Sequence, residues 1–523
     1  MTSDLSQLHR SPRDLDRWQK AKAHLFGGQY ASAVKAYREL LTKYSIVPEL
    51  WFELGNAEAG QLDFASAHNS YERALELAPR NARLLLLIGQ QYQGLRQLDR
   101  ARSCFERAAA ADPTLMDARI SLALWFEKER RLSDAWDCVQ TSLAQKPDDD
   151  QARYLHAFLL WRMERYGEAE SALRKLISSD IKYPYVKYAS RHLLGVVLDQ
   201  LGEFAEAMRW LCESKALVRQ ITDIALLEKE YDRASQRRRE LLAQLTGPTL
   251  EKWRLQYSSQ AAGDQISFLG GHPRSGTTLL EQILDAHPDV LAFDESAAFS
   301  QEVGAALLPQ ERHRGLTLAA LNGLPQGQLE RLRQRYRTSL LQEVDGRAQA
   351  RVLLDKNPSG TSLLHLWLRV FPELKVIVAL RDPRDVLISC FFQNLMLNVT
   401  NVNFLSLERA AKHYSDLMNV WLRLRELGGF DWIETRYEDV VSNLETEGRR
   451  VTGFLGLSWH PQQEKYYENS RRKFLYAPTY HDVTQPLYRR AIGRWERYAQ
   501  ALEPLQPILA PYCRAFGYSA CYR

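Results

Sequence analysis

Between Gln265 and Leu284 the chain reads as a short buried strand (Ile266-Ser267-Phe268-Leu269), a glycine-rich loop (Gly270 to Thr278) and an apolar helix (Leu279-Leu280-Glu281-Gln282-Ile283-Leu284). Such a strand, loop and helix N-terminus turn several backbone N–H groups and the helix dipole onto one anion, so Ser275, Gly276, Thr277 and Thr278 are predicted to cradle a phosphate-like group. Gly271 and Gly276 have the spacing of a nucleotide P-loop, but Thr277 stands at its usual lysine position. The loop therefore lacks the ordinary clamp on the β- and γ-phosphates of ATP, whereas Arg274 inside it can hold a smaller terminal anion with two hydrogen bonds. On the loop alone, a structural turn and a degenerate nucleoside triphosphate site stay open as alternatives.

Other residues with usable chemistry follow strand-like runs. Lys375-Val376-Ile377-Val378-Ala379-Leu380 is rich in β-branched residues and leads into Arg381, with Ser389 eight residues on, within a predicted helix. Leu353-Leu354-Asp355 leads into Lys356, Val290-Leu291-Ala292-Phe293 precedes Glu295, and Trp432-Ile433-Glu434 precedes Arg436-Tyr437-Glu438-Asp439. His272 and His287 are further titratable groups in this region. His287 precedes Pro288 in a helix-ending turn, which favours a structural role.

The stretch PRSGTTLLEQILDAHPDVLAFDES, residues 273–296, resembles the 5′-phosphosulfate loop, helix and following strand of tyrosylprotein sulfotransferases. It is also similar to bacterial proteins that fuse helical repeats to a sulfotransferase domain, and the resemblance covers roughly residues 264 to 520. It implies a P-loop-like parallel sheet flanked by helices that binds 3′-phosphoadenosine 5′-phosphosulfate (PAPS), releases 3′-phosphoadenosine 5′-phosphate and uses no metal. It further implies that Arg381 and Ser389 hold the 3′-phosphate, a group ATP lacks. The family's next basic contact falls at Gln393, which is not basic, so either the 3′-phosphate is held more weakly or the contact is supplied elsewhere. Glu295, 21 residues after Arg274, matches the family's catalytic base, with His272 and His287 as competitors because other sulfotransferases place a histidine there. Lys356 matches the lysine near the bridging oxygen, and Tyr437 the tyrosine that contacts the nucleotide. Alignment on Pro486 and Trp495 puts Thr479 where the family has a serine at the sulfuryl group, and Arg494 where it has a basic residue near the 3′-phosphate. The resemblance makes a protein or peptide tyrosine the expected acceptor. A saccharide or phenol acceptor, a P-loop kinase or NTPase, and an adaptor with an inactive catalytic domain are the rivals.

Upstream the sequence repeats every 34 residues. The clearest unit starts at Pro48 and carries Trp51, Leu54, Gly55, Ala67, Tyr71, Ala74 and Pro79; one period later stand Gly89, Ala101, Phe105, Ala108 and Pro113, and two periods later Ala123, Ala135, Val139 and Pro147. Small residues let two antiparallel helices approach, the larger residue fills their groove, and proline ends the second helix. This pattern resembles tetratricopeptide (TPR) repeats. Weaker units bring in Ala21, Ala33 and Tyr37 before it and Ala157, Ala169, Gly195 and Ala207 after it. The expected organisation is multidomain: an all-α TPR solenoid of about six units over residues 14–220, a helical cap and linker over 221–263, and an α/β P-loop-like sulfotransferase domain over 264–523. Such a solenoid docks polypeptides, so a protein or peptide partner is expected there.

The 523 residues exceed one ordinary core. A net charge of +5 from 69 basic and 64 acidic residues gives no general affinity for nucleic acid or membrane surfaces. The N-terminus has no apolar signal region, no segment reaches eighteen uninterrupted apolar residues, and the six cysteines are scattered, so a cytoplasmic protein without disulfide framework or zinc site is expected. Oligomeric state does not follow from the sequence.

Overall fold

The computed structural model describes residues 8, 11–61, 63–95, 97–257, 265–308, 316–344, 350–470, 487 and 489–519. The chain divides into two compact units, Met1–Val197 and Leu198–Arg523.

The first unit is a row of helical hairpins: α1 (Pro12–Phe26) with α2 (Tyr30–Leu41), α3 (Pro48–Gly60) with α4 (Phe64–Leu77), α5 (Ala82–Gly94) with α6 (Leu98–Ala111), α7 (Met116–Lys128) with α8 (Leu132–Gln145), and α9 (Asp150–Arg162) with α10 (Tyr166–Ile177). Helix α11 (Pro184–Leu201) follows. Helix starts are marked locally, by Pro48 at the first turn of α3 and by the side chains of Asp63, Asn81 and Asp149, which accept from the first-turn amides of α4, α5 and α9. The 34-residue register has a direct physical cause. A Cβ on Gly55 would lie 2.5 Å from the Tyr71 ring, and one on Gly89 would lie 2.7 Å from the Phe105 ring, so each glycine is the floor on which the large residue sixteen positions later rests. Ala67, Ala74, Ala101, Ala108, Ala123 and Ala135 are fully buried between helices.

The second unit begins with α12 (Phe204–Ile221), α13 (Ile224–Gln244) and α14 (Gly247–Leu255) and is built around five parallel strands. These are β1 (Gln265–Gly271), β2 (Val290–Asp294), β3 (Val352–Lys356), β4 (Lys375–Leu380) and β5 (Asp431–Arg436), in the order β2-β3-β1-β4-β5. Alternation along the strands sends Leu269, Val352, Leu354, Ile377 and Ala379 to one face, where they pack with Leu280 and Leu284 of α15 (Thr277–Asp285) and with Val451 of α21 (Leu444–Phe454). Residues on the opposite face include Phe268, which meets Trp367 of α17 (Leu364–Val370); Trp367 in turn stacks on Phe299 at 3.7 Å and touches Tyr336 of α16 (Gln326–Gln342). Each fully buried side chain of this size contributes about 1.5–3 kcal/mol. The remaining cover comes from α18 (Pro383–Phe391), α19 (Leu407–Leu427), α20 (Tyr437–Ser442) and α22 (Gln506–Ala515). Helix α13 is tied to α19 by Asp232, which pairs with Arg409 and Lys412, and by Tyr231, whose hydroxyl donates to Asp416. The architecture is the one expected: helical repeats followed by a parallel sheet flanked by helices. Among the described residues no helix is long and apolar enough to cross a membrane.

Candidate active site

The chain runs β1 to β2 on one side of the sheet, returns through β3 beside β1, then crosses to β4 on the other side, so a crevice opens at the carboxyl ends of these strands. Every expected site residue among those described, apart from Arg494, lies there. The loop after β1 carries Arg274 to Thr278, β2 ends at Asp294 and Glu295, β3 ends at Lys356, β4 ends at Arg381, and β5 ends at Arg436 and Tyr437.

The loop after β1 is shaped by close backbone approaches. A Cβ on Gly271 would fall 2.2 Å from the Ala379 carbonyl oxygen, and one on Gly276 would fall 2.6 Å from the Tyr437 ring. Gly276 has φ 90°, and the Thr361 hydroxyl both accepts from Gly271 N–H at 2.8 Å and donates to Gly271 O at 3.0 Å. Arg274 has φ 74° and Glu295 φ 53°, a left-handed conformation that costs a non-glycine residue about 1–2 kcal/mol. Strain of this kind concentrates at functional sites.

Arg274 Nε donates to Ser389 Oγ at 3.1 Å, and Arg381 Nη1 donates to the Arg274 carbonyl at 3.3 Å. The anion loop and the Arg381/Ser389 pair thus form one continuous basic wall. The Arg381 guanidinium lies 4.9 Å from the Tyr437 ring centre and 3.9 Å from Asp385, and its buried Nε has no partner among the described residues. Asp382 pairs instead with Arg384, which donates to both its oxygens. Ser275 and Thr277 are buried and Thr278 is half-buried.

Parallel register sets Asp294 opposite Lys356 on the neighbouring strand. The Lys356 ammonium is fully buried, donates to Asp294 and to Glu295 at 3.2 Å, and lies 3.7 Å from Glu281 of α15. Burial alone would push this lysine down, but the carboxylates of Glu281, Asp294 and Glu295 more than offset it, so it is held above the ordinary lysine range and stays charged. Glu295 is the open member of the group, with 55% of its side chain exposed against 16% for Asp294 and 3% for Glu281. Asp294 and Glu281 were not singled out in the sequence. Asp294 ends a strand-like run, but only the parallel pairing of β2 with β3 sets it beside Lys356; Glu281 reads as one polar residue in an apolar helix.

The two histidines are engaged otherwise. His272 is buried and pushed down to about 4 by burial; its Nδ1 donates to Pro273 O at 2.7 Å, which leaves Nε2 to accept from His413 Nδ1 at 2.9 Å. His287 Nδ1 accepts from Asp289 N–H, so its Nε2 donates to Ser458 O. Arg494 pairs with Asp199 at 2.8 Å and lies 4.0 Å from the Phe392 ring centre, just beyond the helix that carries Ser389. Thr479, like Pro486 on which it was aligned, lies outside the described residues.

Residues 267–461 match the sulfotransferase family, and residues 48–81 together with 19–61, 86–150 and 154–216 match tetratricopeptide repeats. The chain carries a sulfotransferase-family domain behind tetratricopeptide repeats. Among the relatives, a putative protein-tyrosine sulfotransferase of Caenorhabditis briggsae is 26% identical over 205 residues, 39% of this chain and 70% of that protein. Protein-tyrosine sulfotransferase 1 of Danio rerio is 25% identical over 202 residues, 37% of this chain, and the match spans about half of that relative, 54%. Of solved structures, one titled MamA covers 32% of this chain and 95% of its own, at 21% identity and a TM-score of 0.27.

For the sulfotransferase-family domain the donor implied is PAPS, and the residues present fit it. The loop after β1 is too tight for a side chain at Gly276, so bare backbone lines the cradle, and Arg381 keeps a buried donor without a partner beside it. Among the described residues no group of three or more His, Cys, Asp or Glu side chains is arranged to hold a metal ion.

Proposed function

We propose that the second unit transfers a sulfuryl group from PAPS to the hydroxyl of a peptide or protein tyrosine. The observation that carries this reading is the meeting, at the ends of adjacent parallel strands, of an anion loop with Arg274, the exposed Glu295 beside the buried cation Lys356, and the Arg381/Ser389 wall. PAPS supplies an activated sulfuryl group on a good leaving phosphate. The N–H groups at the start of α15, together with Arg274, bind its 5′-phosphosulfate; Arg381 and Ser389 bind the 3′-phosphate; Tyr437 packs against the nucleotide.

Glu295 takes the acceptor proton as general base. The acceptor O–S bond forms while the S–O bond to the nucleotide phosphate breaks, and the electron pair leaves with that phosphate. Lys356 and Arg274 meet the charge that develops on the bridging and terminal oxygens, a contribution that is large because Lys356 is already desolvated and held in place. Thr479 and Arg494 keep the roles expected at the sulfuryl group and the 3′-phosphate. The tyrosine acceptor is supported by the protein-tyrosine sulfotransferase relatives, and the repeats supply a surface of the kind that docks polypeptide. A cytoplasmic location belongs to the same proposal.

The test is transfer of label from sulfur-labelled PAPS to tyrosine peptides, saccharides and phenols, with wild-type protein and Glu295→Ala. Labelled peptide that disappears with the variant is the expected result. Label on sugar or phenol would keep the donor and replace the acceptor; no transfer and no nucleotide binding would overturn the reading.

A further inference from the structure

Helix α12 carries Lys215, which is 5% exposed, and delivers it to the far end of α18, where its Nζ donates to the Gln393 carbonyl at 2.5 Å and lies 5.7 Å from the Phe391 ring centre. An ammonium has three donors, and a single carbonyl is a thin return for burying one. Among the described residues no carboxylate pairs with it; the titratable groups around it are the thiols of Cys212 and Cys390. Burial consequently pushes Lys215 down to about 8. A buried cation without a counter-charge is unfavourable unless an anion arrives to answer it.

The surroundings say where that anion would sit. Gln393 is one helical turn beyond Ser389, and its side-chain amide donates to the Ser389 carbonyl at 3.3 Å. The Ser389 hydroxyl accepts from Arg274. Burial pushes the Cys390 thiol up to about 12 against the opposing charges of Arg274, Arg381 and Lys215, so all three cations act on this one side chain. Two of the three belong to the basic wall already described; the third comes from α12, 178 residues before Gln393 and outside the stretch that resembles sulfotransferases.

We propose that Lys215 is a binding residue for the nucleotide 3′-phosphate, acting with Arg381 and Ser389 and supplying the positive charge that Gln393 does not. The inference rests on the sulfotransfer reading for the presence of a 3′-phosphate at this wall. In the ligand-bound protein the ammonium turns from the Gln393 carbonyl to the phosphate oxygens, and its role is to discriminate 3′-phosphorylated adenosine nucleotides from those with a free 3′-hydroxyl.

The experiment is calorimetric titration of the full chain and of Lys215→Met with two probes, 3′-phosphoadenosine 5′-phosphate and adenosine 5′-monophosphate. Methionine keeps the stem of the lysine and removes the charge. The expected result is that Lys215→Met loses about 10- to 100-fold in affinity for the 3′-phosphorylated probe, the range for a hydrogen bond to a charged group, with adenosine 5′-monophosphate bound as before. Lys215→Arg restores most of the loss. Unchanged affinity for 3′-phosphoadenosine 5′-phosphate, or equal losses for both probes, would overturn the proposal, the latter by marking a structural lysine. If Lys215→Met fails to fold, Lys215→Gln answers the same question with a polar head. A wild-type protein that does not prefer the 3′-phosphorylated probe would instead sink the sulfotransfer reading itself.

Discussion

Lys356 meets three carboxylates, and they are not equivalent. Glu281 and Asp294 are enclosed and hold the ammonium, while Glu295 is exposed, in a strained left-handed conformation, and is the base of the proposed mechanism. Glu295→Gln is therefore expected to lower kcat by about 10²- to 10⁴-fold, the usual worth of a positioned base, with affinity for 3′-phosphoadenosine 5′-phosphate retained; steady-state kinetics and titration check both halves. Asp355, next to that lysine, gives a pH prediction. Its carboxyl is pushed up to about 7 by burial, with one oxygen accepting from Tyr336 and the other buried without a partner. The folded protein thus keeps a proton that the unfolded chain releases above about 4. The stability this contributes is fully present below that value and is lost as pH rises through about 7. Asp355→Asn, neutral at every pH, should gain in Tm relative to the parent between about pH 5 and about pH 8. A constant difference across that range would show that Asp355 does not titrate there.

Elements decide how the site residues reach one another. Short apolar strands, the glycine loop and the helix behind it are local patterns, and the sequence shows them because a strand end and a helix start are marked by residue type. Gly276 is the point where the loop after β1 meets α20, and Gly276→Ala would both strain φ 90° and drive Tyr437 aside. Nucleotide affinity is expected to fall at least about tenfold, with a Tm loss corresponding to about 1–3 kcal/mol. A second junction is Asp385 of α18, whose two oxygens accept from Gly493 N–H and Trp495 N–H at 2.8 Å. Removing it strands two backbone donors, so Asp385→Ala should destabilise by about 2–4 kcal/mol, read by denaturant unfolding. The sequence does not show these Asp385 contacts, because their donors come from a segment more than a hundred residues away.

At the scale of the molecule, the repeat unit has its own test. Gly89 is the floor beneath Phe105, and Gly89→Val would place its branches inside the ring. A loss of about 1–3 kcal/mol is expected in the transition of the repeat unit, with nucleotide affinity unchanged, because overpacking a helix pair is felt where the pair packs. The sequence by itself determined the repeat register, the glycine loop and the order of strands and helices, since each rests on contacts within a few tens of residues that leave a periodic or compositional trace. Only the tertiary structure decided that Asp294 and Glu281 share Lys356, that Arg274 and Ser389 touch, and that Lys215 reaches the end of α18. Those meetings depend on the register of parallel strands and on helices far apart in the chain, and a linear pattern carries no record of which distant side chains a crossover connection brings face to face.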